Sequence, residues 1–256
     1  MYFILILVST ISLYLFYQNS SKFIHNPFIR LKENYKTALI EHFLYYKRLP
    51  SKKQQLFERR VQYFISSKQF FPRGFPQVTD EMKALIAASA VQLTFGLPDI
   101  YLKHFRKILI YPDDYYSTIN HNYHQGEVNP WLGIIVLSWK NFIEGYIHPH
   151  DGVNLGLHEM AHALKLENRI LNKEYKFLPT HQLEKWLSLS TKKRERIASG
   201  EKSIFRAYGQ VNDHEFFAVA VECFFEKPEQ FKTQEPELYQ SMVLLLGQDP
   251  LVLLTH

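Results

Sequence analysis

The sequence predicts an α+β fold, mainly helical with a small sheet, preceded by an N-terminal membrane segment. Apolar residues recur at helical period in stretches closed by Gly and Pro, and two short runs with β-branched residues stand between polar turns. At the N-terminus, Tyr2 to Tyr17 runs through Phe, Ile, Leu, Val and Tyr, interrupted only by Ser9, Thr10 and Ser12.

As a helix this N-terminal run spans roughly 24 Å at 1.5 Å per residue, a little short of a hydrocarbon core of about 30 Å. Tyr14 and Tyr17 suit the headgroup interface. Lys22, Arg30, Lys32 and Lys36 follow the run and only the terminal amine precedes it, so the positive-inside rule places the rest of the chain in the cytoplasm. The rival is a signal peptide whose cleavage releases a secreted protein. Against it stand the lack of Lys or Arg ahead of the run and a poor cleavage site in Gln18-Asn19-Ser20-Ser21. Residues 1–18 are therefore read as a transmembrane anchor, 19–50 as a juxtamembrane connector ending at Pro50-Ser51, and 51–256 as one folded domain.

Within that domain, Leu56 to Phe70 is near helical period and is stopped by Pro72, Gly74 and Pro76. Thr79 is a good N-cap for a second helix, with Asp80 and Glu81 in its positively polarised first turn, and Gly96 and Pro98 mark its end. Phe105–Tyr111 and Gly133–Trp139 are the strand candidates, separated by a polar stretch holding His121, His124 and Gly126.

Composition narrows the function. Hydrophobic content of 46% with 21% charged residues is that of a folded globular chain. The net charge of +5 is spread along the sequence rather than gathered in a basic block, which gives little support for nucleic-acid binding. Cys223 is the only cysteine, so neither a disulfide framework nor a multi-Cys zinc site is available.

The chemistry lies in His158-Glu159-Met160-Ala161-His162, which fits H-E-x-x-H within a stretch that suits a helix. One turn apart, both imidazoles face the same side and converge on one Zn²⁺. Glu159, beside the first ligand, is placed to take a proton from water and pass it to a leaving amine. The bland alternative is two His and a Glu decorating a half-exposed helix. A catalytic zinc needs a third protein ligand. The extended motif with a third His is excluded, because Lys165 stands where its Gly belongs and Asn168 where its His belongs. A downstream carboxylate must complete the site, and Asn212 to Phe225 is a strongly apolar predicted helix with Glu215 and Glu222 seven apart on nearly one face. Glu215 is equally suited to closing a cap with Asn212. Glu222 suits a solvated helix position, and Glu184 competes for the ligand role.

From about residue 56 onward the chain resembles the Mlc titration factor A family of zinc peptidases, whose metal site is similar to that of the anthrax lethal factor catalytic domain. Four blocks carry the resemblance: Thr79-Asp80-Glu81-Met82-Lys83 with Ile86-Ala87-Ala88, then Ile108-Leu109-Ile110-Tyr111-Pro112, then Asp151-Gly152-Val153-Asn154 leading into His158–Leu164, and Glu215–Val219 followed by Glu222 and Phe224-Phe225. The resemblance implies a mainly helical zincin-type metallopeptidase domain with one Zn²⁺. Its ligands would be His158, His162 and Glu215, with Glu159 as catalytic base and Glu222 as a carboxylate supporting the ligands. It also makes Tyr208, seven residues before Glu215, a donor to the oxyanion; without the family, packing would be the preferred role for that Tyr. Many relatives carry Asp where this chain has Lys165, so a supporting carboxylate is expected to be missing or moved to Glu167. His148, His150 and His214 read as loop or cap residues.

The expected function is peptide-bond hydrolysis by a zinc-activated water, with the Gly133–Trp139 strand at the cleft edge to hold a peptide substrate by strand addition. The alternative is a membrane-tethered regulatory protein that sequesters a partner, as the resemblance implies through a family member that binds the sugar-responsive repressor Mlc.

Overall fold

The computed structural model describes residues 30–98, 100–117, 122–170 and 178–253, with the side chains of Tyr208 and Gln210 outside that description. Three helices come first, α1 (Glu33–His42), α2 (Leu44–Arg48) and α3 (Ser51–Ser67), followed by strand β1 (Gln69–Pro72) and helix α4 (Asp80–Thr94). The Thr79 hydroxyl accepts the Met82 N–H at 3.1 Å, so the expected cap forms. Met82 and every residue from Ala84 to Thr94 are buried, and α4 is the apolar pillar of the domain.

Strands β2 (Lys107–Tyr111), β3 (Tyr115–Ser117), β4 (Asn122–His124), β5 (Gly126–Asn129) and β6 (Ile134–Ser138) follow. The main sheet has the order β1-β2-β6-β5, with β1, β2 and β6 parallel and β5 antiparallel to β6, while β3 and β4 form a separate hairpin. Ile108 and Ile110 of β2 meet Ile135 and Leu137 of β6 in register, and all four are fully buried. Both expected strands form. The edge strands are nevertheless β1 and the short polar β5, and the Gly133–Trp139 run expected at an edge forms the interior strand β6. Its Ile135, Val136 and Leu137 are the residues of an interior strand flanked on both sides.

The chain continues through α5 (Trp139–Ile147), α6 (Leu155–Ile170), α7 (Thr180–Ala198), a 3₁₀ turn (Ala207–Gln210), α8 (Asp213–Glu226), α9 (Pro228–Gln234), α10 (Pro236–Leu246) and α11 (Pro250–Leu253). Helix α6 packs against both α4 and α8 and also lies against β5 and β6. Met160, Ala161, Ala163 and Leu164 of α6 join Phe216, Val219 and Ala220 of α8 in one core. A fully buried Phe or Leu contributes about 1.5–3 kcal/mol. That core anchors the two helices bearing the HExxH histidines and the downstream glutamates.

The architecture is α+β, mainly helical with a small sheet. The packed core starts upstream of the expected Ser51 boundary, since Leu31, Tyr35, Leu39, Phe43, Tyr45 and Tyr46 are all buried in it. Among the described residues no helix is long and apolar enough to cross a membrane, and the apolar run 2–17 lies outside them.

Candidate metal centre

Three side chains converge where α6 meets α8. His158 Nε2 and His162 Nε2 are 3.1 Å apart. Glu215 Oε2 lies 3.2 Å from the first and 3.4 Å from the second. Donors held tetrahedrally at about 2.0–2.1 Å from one ion are separated by roughly 3.3 Å, so all three distances match the edges of such a site. Glu215 Oε2 is buried and accepts no well-directed hydrogen bond from either imidazole. The three atoms lie close enough together to share one ion, and the donor set suits zinc. Among the described residues no other group of three or more His, Cys, Asp or Glu gathers in this way.

The local sequence explains the convergence. The Asn212 side chain accepts the N–H groups of His214 and Glu215 at 2.8 and 3.0 Å and fixes the start of α8. The cap is thus completed by backbone donors, which leaves the Glu215 carboxylate to point at the histidines. Burial lifts the Glu215 pKa, but the His158 and His162 imidazoles outweigh it and hold this carboxyl well below the usual range. Burial acts on His158 in the opposite sense, and the Glu215 and Glu222 carboxylates overcome it, pushing its pKa up to about 10. The pocket stabilises a positive charge among these groups, which a proton or a metal cation can supply.

Glu159 is 5% exposed, and burial raises its carboxyl against the lowering effect of the two imidazoles. Strand β5 passes directly over it: a Cβ on Gly126 would sit 2.4 Å from Glu159 Oε1. Only glycine lets the edge strand approach the carboxylate that closely.

Glu222 is completely buried behind the histidines. Its Oε1 lies 2.7 Å from His158 Nδ1 and accepts from Arg206 at 2.5 Å, while its Oε2 accepts the Asn154 N–H at 2.6 Å. Donating Nδ1–H to this carboxylate orients the His158 ring with Nε2 toward the site. Glu226, one turn further along α8, accepts from the Gly152 and Val153 N–H groups at 2.9 and 3.1 Å and from Asn154 Nδ2 at 3.0 Å. Burial pushes its pKa up to about 7. Asn154 also caps α6, its Oδ1 accepting the Leu157 N–H at 3.0 Å. Two carboxylates of α8 therefore clamp the loop that launches the HExxH helix.

Gly126, Asn154, Arg206 and Glu226 were not singled out as functional from the sequence. Glu226 continues the Glu215–Glu222 face by one more turn, so helical period was the signal that could have found it. Arg206 and Gly126 carry no local pattern, because their partners are far away in sequence.

The other candidates sit elsewhere. Glu184 is exposed on α7 and outside the cluster. Glu167, the expected replacement for a carboxylate at position 165, is turned away from the histidines. Its two oxygens accept the Lys103 and His104 N–H groups at 2.7 and 3.2 Å. Lys165 is paired with the Asp213 carboxylate, donates to the Asp213 carbonyl at 3.1 Å and lies 5.5 Å from the Phe217 ring centre. It ties α6 to the first turn of α8. The Tyr208 backbone belongs to the 3₁₀ turn before α8, and its side chain lies outside the description. His148 closes α5, His150 Nδ1 lies 3.3 Å from the Glu226 carbonyl, and His214 is in the first turn of α8. His121 is outside the described residues, and His124 pairs with Tyr115 across the β3–β4 hairpin.

Comparison with known proteins agrees with this geometry. The chain is 28% identical over 226 residues to Mlc titration factor A of Cronobacter sakazakii, covering 80% of this chain and 82% of that protein. It is 29% identical over 215 residues to Mlc titration factor A of Escherichia coli O1:K1, covering 75% and 78%. An uncharacterized protein of Synechocystis is 26% identical over 237 residues, covering 87% and 86%. Residues 19–245 match the model of the glucose-regulated metallo-peptidase M90 family, and the chain belongs to that family.

Proposed function

We propose that the protein is a zinc-dependent peptidase that hydrolyses peptide bonds with Glu159 as general base. The observation that carries this reading is the set of three donor atoms at tetrahedral spacing with a buried carboxylate next to them. His158, His162 and Glu215 would hold one Zn²⁺, which when bound supplies a Lewis acid and lowers the pKa of a water. Glu159 takes the proton of the attacking water and delivers it to the leaving amine, and its raised pKa suits both steps. Glu222 fixes the His158 ring through Nδ1 and is itself held by Arg206 and Asn154. Strand β5 binds an extended substrate along its outer edge, with Gly126 bringing that edge against Glu159. Tyr208 is assigned as the oxyanion donor on its position before α8. Residues 2–17 tether the domain to a membrane from its cytoplasmic side, with secretion after cleavage as the alternative.

Replacing Glu159 by Gln tests the chemistry. The variant is expected to keep one zinc per chain while peptide-library cleavage falls by about 10²–10⁴-fold, the usual worth of a general base. Cleavage at the wild-type rate would overturn the mechanism.

The name of two of these relatives, Mlc titration factor A, supports a second reading in which the domain also binds a regulatory protein partner. The two readings separate in the same variant, since partner binding would survive Glu159→Gln.

A further inference from the structure

The turn between β5 and β6 sets two large apolar side chains in water: Trp131 is 95% exposed and Leu132 58%. The turn is firmly held. The Pro130 carbonyl lies 2.5 Å from His104 Nε2, Asn129 Oδ1 accepts the Leu132 N–H at 3.1 Å, and the Gly133 carbonyl accepts the Lys107 N–H at 3.3 Å. Gly133, at φ +62°, passes the His104 carbonyl so closely that a Cβ would lie 2.8 Å away. A turn pinned at four points that presents Trp and Leu outward is a surface shaped for contact.

The loop that pins it is basic. Lys103, Arg106 and Lys107 are all exposed, and neither 100–107 nor 129–133 contains an Asp or Glu. Because β2 and β6 run parallel, the loop before β2 and the turn before β6 lie at the same end of the sheet. The described chain also enters near this end. The Lys32 N–H donates to Gln62 Oε1 at 3.2 Å, the neighbouring Tyr63 ring lies 4.5 Å from that of Tyr101, and Lys68 donates to the Leu102 carbonyl at 2.5 Å. Upstream, residues 18–29 connect to the apolar run 2–17, and twelve extended residues reach up to about 40 Å at roughly 3.3–3.6 Å each.

We propose that the Trp131–Leu132 turn is a membrane contact that seats in the interface of an anionic bilayer, with Lys103, Arg106 and Lys107 against the lipid phosphates. Trp favours that depth because its ring is apolar and its N–H remains wet, and anionic headgroups attract clustered cations. The contact is additional to the apolar run 2–17 and is independent of the peptidase reading.

The test uses the full chain with phosphatidylglycerol vesicles carrying brominated acyl chains, and reads tryptophan emission. Trp186 is fully buried and Trp139 is half-buried, so the signal assigned to Trp131 is the part that Trp131→Phe removes. The expected result is a blue shift with bromine quenching in phosphatidylglycerol that is much weaker in brominated phosphatidylcholine. Replacing Lys103, Arg106 and Lys107 together by Gln should weaken the Trp131 contact on the order of 100-fold. Emission unaffected by bromine while aqueous acrylamide still quenches Trp131 would overturn the proposal. So would equal quenching in both lipids, or acrylamide protection that grows with protein concentration and ignores bromine, which would mean that a second copy covers the turn.

Discussion

Around the apolar core that joins α6 and α8, two of their contacts are rich in charge. At one, Lys165 pairs with the Asp213 carboxylate and donates to the Asp213 carbonyl. At the other, the Nε2 atoms of His158 and His162 and Glu215 Oε2 lie within 3.4 Å of one another, and Glu215 Oε2 has no directed hydrogen bond. The first contact is complete as a piece of protein. The second is incomplete in its hydrogen bonding and suits a positive charge that a proton or a metal cation can supply. Position in sequence does not separate the two, since Lys165 is three residues beyond His162 and Asp213 two before Glu215. What separates them is that Asp213 has a lysine partner, whereas Glu215 Oε2 has no directed hydrogen bond.

The largest effect should follow from breaking the incomplete contact. Glu215→Ala removes one of three inward-facing donors, and zinc affinity is expected to fall further than the roughly 10–100-fold typical of losing a supporting partner. Glu184→Ala should leave the metal content at one per chain. Metal analysis after dialysis against a weak chelator distinguishes the two, and full occupancy in the Glu215 variant would mean that the three-atom cluster is not the zinc site.

How much of this was legible in the sequence follows the same division. The HExxH pair declares itself, because 3.6-residue periodicity alone places both imidazoles on one face. The Asn212 cap and the Thr79 cap were equally readable as local chemistry. Glu215 was ambiguous because capping and ligation ask for the same residue at the same position; in the structure Asn212 accepts the cap N–H groups and the Glu215 carboxylate lies beside the histidines. Between a missing carboxylate and one moved to Glu167 no local pattern could choose, because the Glu167 donors, Lys103 and His104, lie more than sixty residues away. Strand β5 was passed over for the opposite reason: it is short, polar and placed at an edge, where the apolar signal that identifies strands is weakest. Residues 19–50 read as a connector on their Asn, Ser, Lys and Tyr and the Pro50-Ser51 stop, yet Tyr45 is buried with its hydroxyl donating to Gln248 at 2.8 Å, a partner no local pattern could supply.

A smaller effect should come from the carboxylate that stands behind the site. Glu222→Gln keeps the size and one acceptor but sets an amide between His158 Nδ1, Arg206 and the Asn154 N–H, all of which now meet a carboxylate. The expected cost is about 10–100-fold in zinc affinity, with the ligands still present. A zinc competition titration reads it directly. An unchanged affinity would mean that Glu222 holds the Asp151–Asn154 loop without tuning the metal.

The smallest effect on the metal should come from the complete contact, and here stability and affinity part company. Lys165→Met keeps a chain of similar length over the Phe217 ring but removes the charge that pairs with Asp213. Both partners are largely buried, and a hydrogen bond to a charged group is worth about 1.5–3 kcal/mol. At about 2–4 °C per kcal/mol for a domain of this size, the Tm of the metal-free protein should drop by several degrees. Asn212 still caps α8 and Glu222 still braces His158, so zinc affinity should move less than tenfold. Thermal unfolding and zinc titration on the same variant separate the outcomes. A loss of affinity as large as that of Glu222→Gln would mean that the tie between α6 and α8 at Lys165 sets the geometry of the zinc site, and the two contacts would then be one unit.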